Sequence, residues 1–167
     1  IKHASSAIIC PTDASDGADM RTLLIVLAIE DVAPGVRTVV EVNNPRHLPH
    51  FNRTRVDEVL VTSRLASRLL ARTAMYPGLS GLVTDIVSGG EGSELYRVVL
   101  PDEYVGFDID ALSARLRHDH RATLLAVARG DKTFSNPDSS FRLEQGDQAV
   151  VVAVSLGKLA PLAAPQR

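Results

Sequence analysis

Apolar residues fall along this chain in two rhythms, and the change between them comes near Pro77. Before it, short unbroken apolar runs alternate with longer stretches of helical period. Ala7-Ile8-Ile9-Cys10, closed by Pro11, predicts a strand covered on both faces of a parallel sheet. Asp16 and Asp19, spaced as a capping residue and its N3 partner, predict a helix whose apolar face is Met20, Leu23, Leu24, Leu27 and Ala28, running to Asp31. Pro34-Gly35 breaks the chain, Arg37 to Val42 is a second, β-branched strand, and Asn44-Pro45 opens a short helix over His47 to Phe51. Glu58 to Thr62 is the third strand, and Ser63 caps a helix carrying Leu65, Ala66, Leu69, Leu70 and Ala74. Three strand-helix units in succession imply a parallel, right-handed α/β sheet.

After Tyr76-Pro77-Gly78 the pattern is that of a small α+β lobe. Leu79 to Val87 is a brief amphipathic helix, and Ser88-Gly89-Gly90-Glu91-Gly92 is a glycine-rich loop. Strands are expected at Glu94 to Leu100, Thr123 to Ala128 and Gln148 to Val154, with a helix from Asp108 or Asp110 bearing Ile109, Leu112 and Leu116. Residues 131–140 read as an irregular loop. The alanine- and proline-rich tail, 155–167, reads as loosely held. The expected organisation is a first lobe with its connecting helix over 1–76, a second lobe over 77–154, and that tail.

Composition narrows the classes. A chain of 167 residues with 45% apolar and 23% charged positions buries a real core, as one domain or two small lobes. Its longest strongly apolar run, Leu23 to Ile29, is far short of the roughly 20 residues of a membrane span. A net charge of -2, with both signs interspersed, offers no electrostatic footprint for nucleic acid or anionic lipid. The single cysteine, Cys10, is expected as a buried, inert thiol in a reducing compartment. The opening at Ile1, on an element that reads as the middle of a fold, suggests a segment of a longer protein.

Two acidic clusters are the candidate ligand sites. Asp13, Asp16 and Asp19 follow the first parallel strand at its carboxyl end, where open α/β sheets bind ligands, and hard cations such as calcium need several convergent oxygens. The spacing is not that of an EF-hand, and helix capping accounts for Asp16 and Asp19 without a ligand. Glu91, Ser93 and Glu94 form the second cluster, on the glycine-rich loop, where solvated loop charge is the simpler reading. Asp16, Asp19 and Glu94 are the metal candidates. Gly89, Gly90 and Gly92 lack the G-x-G-x-x-G order of a phosphate-binding turn. His47 and His50 have no third ligand at compatible spacing, and His118 and His120 read as surface residues at a helix C-terminus. No G-x-S-x-G elbow and no other catalytic constellation occurs, so the chain does not read as an enzyme.

The first strand and helix, Asn43-Asn44-Pro45 and Val56-Asp57-Glu58-Val59-Leu60-Val61-Thr62 resemble the latter half of a regulator of potassium conductance domain. Glu94-Leu95-Tyr96-Arg97, Tyr104-Val105-Gly106, Asn136-Pro137 and Leu143-Glu144-Gln145-Gly146-Asp147 are similar to the carboxyl-terminal subdomain of such regulators. Leu70 to Ser80, Gly92-Ser93-Glu94-Leu95 and Asn136-Pro137-Asp138 most resemble the Castor and Pollux group of ion channels and their bacterial relatives. The resemblance implies a partial Rossmann-like lobe followed by a small α+β lobe. It implies a gating module at the cytoplasmic face of the membrane, ringed with copies of itself beneath the pore domain of the same protein. Calcium is then the ligand to expect, with potassium or calcium as permeant ion. The glycine-rich dinucleotide turn of related domains is absent from this segment.

The sequence therefore reads as a non-enzymatic, ligand-sensing gating domain of a cation channel. Dimer or ring assembly is expected to use the apolar surfaces at Leu65, Leu69 and Leu82, unless these pack the lobes of one chain together. A regulatory subunit of a potassium uptake transporter is the second reading, and a fragment of a dinucleotide-dependent oxidoreductase the third.

Overall fold

The computed structural model describes residues 1, 3–89, 93–130, 132–160 and 162. The chain divides into two compact units, Ile1–Pro77 and Gly78–Arg167.

In the first unit, β1 (Ser6–Ile9), β2 (Arg37–Glu41) and β3 (Glu58–Leu60) form a parallel sheet in the order β1-β2-β3. The register pairs Ile8 with Val39 and Ile9 with Val40, and Val40 in turn with Val59. Ile9 and Val40 point to one face, where helix α1 (Asp16–Val32) closes a core with Val26, Ile29, Val42 and Phe51. A Phe, Ile or Val side chain fully withdrawn from water contributes about 1.5–3 kcal/mol, so this one-sided layer holds the unit. The opposite face is open: Ile8 on β1 is 76% exposed, and Leu60 on β3 is exposed as well. The expected two-sided covering of β1 is therefore not found within the unit, because the residues of this unit supply a helix to one face only.

α1 also turns differently from expectation. Its buried residues are Ala18, Asp19, Thr22, Val26 and Ile29, whereas Leu24 and Leu27 face solvent. A helix apolar on nearly every side has no single stripe to mark its inner face. Its N-cap is Ser15, whose Oγ accepts the Ala18 N–H at 3.3 Å, so Asp16 is the first helical residue and not the cap. Cys10 follows β1 and is exposed, not buried. Local desolvation of the sulfur and then the Glu41 carboxylate push its thiol up, which keeps it a poor nucleophile. Asn44 caps a 3-10 turn at Pro45–His47 by accepting the Arg46 N–H at 3.0 Å, and α2 (Leu48–Phe51) continues it. α3 (Thr62–Met75) completes the unit without a single buried residue; Val61 is its N-cap, and the Ser63 hydroxyl donates to the Asn43 carbonyl instead of capping.

The second unit holds α4 (Leu79–Ser88), β4 (Glu94–Val99), α5 (Ile109–His120), β5 (Thr123–Arg129), β6 (Lys132–Ser135) and β7 (Gln148–Ala153). Its four strands form an antiparallel sheet in the order β4-β7-β5-β6. Asp108 caps α5 by accepting the Ala111 N–H at 2.8 Å, and Ile109, Leu112 and Leu116 enter a core with Val98, Val127, Ala149 and Val151. The stretch expected to be an irregular loop contains β6. Its residues are mostly polar and exposed because β6 is an edge strand paired only to β5. Of the tail expected to be loose, Leu156–Leu159 is a 3-10 turn, and Leu159 and Leu162 are buried in this core; residues 161 and 163–167 lie outside the described residues. His120, expected at the surface, is also buried, with Nδ1 3.1 Å from the Lys158 carbonyl; His118 is exposed and pairs with Asp119 at 2.6 Å.

Candidate functional site

The carboxyl ends of β1 and β2 bring together the loops that carry the first acidic cluster. Asp19, one turn into α1, has no exposed surface. Its Oδ1 accepts the Asn43 N–H at 3.0 Å, and its Oδ2 accepts the Asn44 N–H at 3.0 Å and lies 2.7 Å from His47 Nδ1. Burial alone would raise this carboxyl, but the two backbone donors and His47 outweigh it and hold the group below its ordinary value. Asp19 is thus a fastener that fixes the turn after β2 onto α1. Asn43 Nδ2 donates to the Asp13 carbonyl at 2.7 Å and Asn44 Nδ2 to Asp16 Oδ1 at 2.9 Å, which ties both sides of the crevice.

Asp13 and Asp16 stand at the rim, exposed. Asp13 accepts from the Ser15 N–H at 2.8 Å and from the Ser15 hydroxyl, and pairs with Arg21 at 2.9 Å. Asp16 lies 3.9 Å from His47 Nε2. Calcium takes six to eight oxygens, and the carboxylate best buried here already has both of its oxygens committed to the protein. Among the described residues, no group of three or more His, Cys, Asp or Glu side chains is placed to hold a metal ion. The side chains present therefore do not make a calcium cage at this edge.

Glu94, the remaining described candidate, belongs to the second unit. Its Oε2 accepts the Tyr96 hydroxyl at 2.8 Å, and this bond raises the Tyr96 phenol. A shallow cavity of about 270 Å³ is lined by Ile86, Val87, Gly89, Glu94 and Leu95. Gly89 has φ 61°, a left-handed conformation, and a Cβ there would meet Glu94 Oε1 at 3.3 Å. Glu91 lies outside the described residues.

Two constellations were not legible from residue order alone. His47 reaches Asp19 across 28 residues. In the second unit Arg129 forks onto the fully buried Asp147, Nε to Oδ1 and Nη2 to Oδ2, both at 2.8 Å. Arg129 Nη1 also reaches Glu144 at 2.5 Å, its guanidinium stacks 4.8 Å from the Phe141 ring, and Asp147 accepts the Glu144 N–H at 2.9 Å. Burial raises the Asp147 carboxyl, yet Arg129 and the Glu144 N–H bring it below its ordinary value. Neither constellation holds a nucleophile beside a base, and both are built to restrain turns.

No family model matches the chain. Among curated proteins, it is 26% identical over 171 aligned positions to a probable ion channel Pollux of Oryza sativa subsp. japonica, an alignment covering 99% of this chain and 18% of that protein. It is 24% identical over 138 positions to the calcium-gated potassium channel TvoK of Thermoplasma volcanium, covering 83% of this chain and 39% of that one. The chain thus spans less than a fifth of the plant relative. Among solved structures, the human SLO3 gating ring superimposes with a TM-score of 0.79 at 12% identity, over 96% of this chain and 34% of that one. No helix of the described residues is long and apolar enough to cross a membrane. Relatives of this chain accordingly include ion channels of the Castor and Pollux type and archaeal potassium channels, and its α/β fold is shared with part of the human SLO3 gating ring.

Proposed function

We propose that this chain is the ligand-sensing gating segment of a cation channel. It lies at the cytoplasmic face, is joined to a pore domain in the same protein, and assembles with copies of itself as a dimer or ring. The observation that carries this reading is similarity to a Pollux channel along 99% of the chain. The open face of the first sheet, with Ile8 and Leu60, and the exposed Leu65 and Leu82 support assembly, since apolar surface of this kind is normally covered.

A gating segment does its work through differential affinity: an effector opens the pore only if it binds one ring state more tightly than the other. We assign effector contact to polar groups at loop edges, with Asp13 and Asp16 at the rim of the first unit and Glu94 beside the glycine-rich loop of the second. Asp19 then serves beneath the rim, holding the shape that the effector meets. Calcium gates the archaeal relative and is the first effector to test. The described carboxylates would meet it, or another polar effector, singly at loop edges and not as a closed cage.

The test is electrical. The full-length protein containing this segment, reconstituted in a planar bilayer, is expected to pass cation current. Asp16→Ala or Glu94→Ala should shift the effector dose-response while single-channel conductance stays unchanged. A full-length protein that carries no cation current would refute the reading.

A further inference from the structure

We propose that Thr62 and Ser63, the first two residues of α3, are positioning residues that make the start of this helix follow the acidic rim at Asp13 and Asp16. Serine or threonine at a helix start ordinarily turns its oxygen onto the helix's own free N–H groups. Neither does so here: α3 has Val61 as its N-cap and no side-chain cap bond. Thr62 Oγ1 instead donates to Glu41 Oε1 at 2.6 Å, and Ser63 Oγ donates to the Asn43 carbonyl at 3.2 Å. Both acceptors lie where β2 gives way to the Asn43-Asn44 turn. Capping is given up for a tie to another element, and such departures from local preference concentrate at functional sites.

The turn also holds the rim. Asn43 Nδ2 donates to the Asp13 carbonyl at 2.7 Å, Asn44 Nδ2 donates to Asp16 Oδ1 at 2.9 Å, and both backbone N–H groups donate to Asp19 at 3.0 Å. Asn43 is thus gripped from three sides, by Asp13, by Asp19 and by Ser63. Adjacency alone does not couple two places. Here every link is a hydrogen bond, which weakens steeply when one partner turns away, so a shift of the rim is carried to the first turn of α3 or breaks a bond on the way. α3 ends at Met75 and the first unit at Pro77, so a change imposed on its first turn reaches the helix by which the chain leaves the unit. Naming the rim as the effector contact rests on the gating reading; the tie is a property of the chain alone.

Amide NMR of the 167-residue chain tests it. Asp16→Ala removes an exposed acceptor of Asn44 Nδ2 and is expected to move the amide signals of residues 62–66, while those of Leu112 and Leu116 in the second unit stay in place. In a chain carrying Thr62→Val and Ser63→Ala, the same substitution should move the 62–66 signals about threefold less, the non-additivity of a linked pair of sites. Thr62→Ser with Ser63→Thr keeps both hydroxyls and should restore the movement, which a merely structural role for these side chains would not require. Circular dichroism establishes that each variant is folded, and Ser63→Ala alone, at an exposed position, serves as the severed chain if the double substitution is not. Signals of 62–66 that ignore Asp16→Ala, that move equally with and without the hydroxyls, as the bare field of the lost charge would make them, or that do not recover in the Thr62→Ser, Ser63→Thr chain would each overturn the proposal. A full-length protein without cation current would refute the gating reading alone.

Discussion

Each unit buries one aspartate completely, and the two are held in different ways. Asp19 is met by two backbone N–H groups and an imidazole, Asp147 by a bidentate guanidinium and one N–H. The first arrangement spreads the compensation over two backbone dipoles of a turn and one histidine ring. The second sets a permanent opposite charge against the carboxylate, which is the geometry in which removing one partner is most costly. Backbone donors stiffen a loop edge without setting a permanent counter-charge in it. A charged fork makes a fixed corner, and Arg129 adds ring stacking on Phe141 to fix it further.

The largest expected effect tests that contrast directly. Arg129→Ala leaves Asp147 buried without its counter-charge and should destabilise the second unit by about 3–5 kcal/mol in urea unfolding. Asp19→Asn keeps an acceptor for one N–H and should cost less, about 2 kcal/mol, read as lost hydrogen-exchange protection within Ile1–Pro77. Equal losses would erase the distinction. Ser15→Ala removes only the N-cap of α1 and should cost about 1 kcal/mol.

Acid should act on both fasteners in the same direction. Asp19 and Asp147 are each held below the ordinary carboxylate value of 3.8, so their contributions are present above that value and disappear as pH falls through the lower folded values. Stability is therefore expected to fall below about pH 3.8. Asp19→Asn should flatten the decline for the first unit and Asp147→Asn for the second, measured by thermal midpoints from pH 5 to pH 2. An unchanged slope in either variant would remove that aspartate from the account.

Much of the architecture was legible in the sequence because strands here are short apolar runs closed by Pro, Gly or Asn. Ser6–Ile9 runs up to Pro11, Arg37–Glu41 centres on Val39-Val40 between Gly35 and Asn43, and Gln148–Ala153 follows the Gly146 turn. α1 was legible as a helix but not in its orientation, since Leu23 to Ile29 offers an apolar residue to every direction. β6 escaped because Lys132-Thr133-Phe134-Ser135 has the polarity of a loop, as an edge strand does. Asp19 was legible as a carboxylate of interest, but its role depends on Asn43, Asn44 and His47, which only the tertiary fold brings to it. The start of the tail misled by composition: Leu159 and Leu162 sit among alanines and prolines, yet both enter an existing core.

The central claim, that this segment regulates a pore without forming it, is tested most directly by single-channel recording of the full-length protein with and without Asp19→Asn. The account predicts a cation-selective channel in which the substitution changes open probability and its response to effector, with unitary conductance unaltered. A protein that conducts no cations, or one whose unitary conductance changes while its open probability does not, would contradict it.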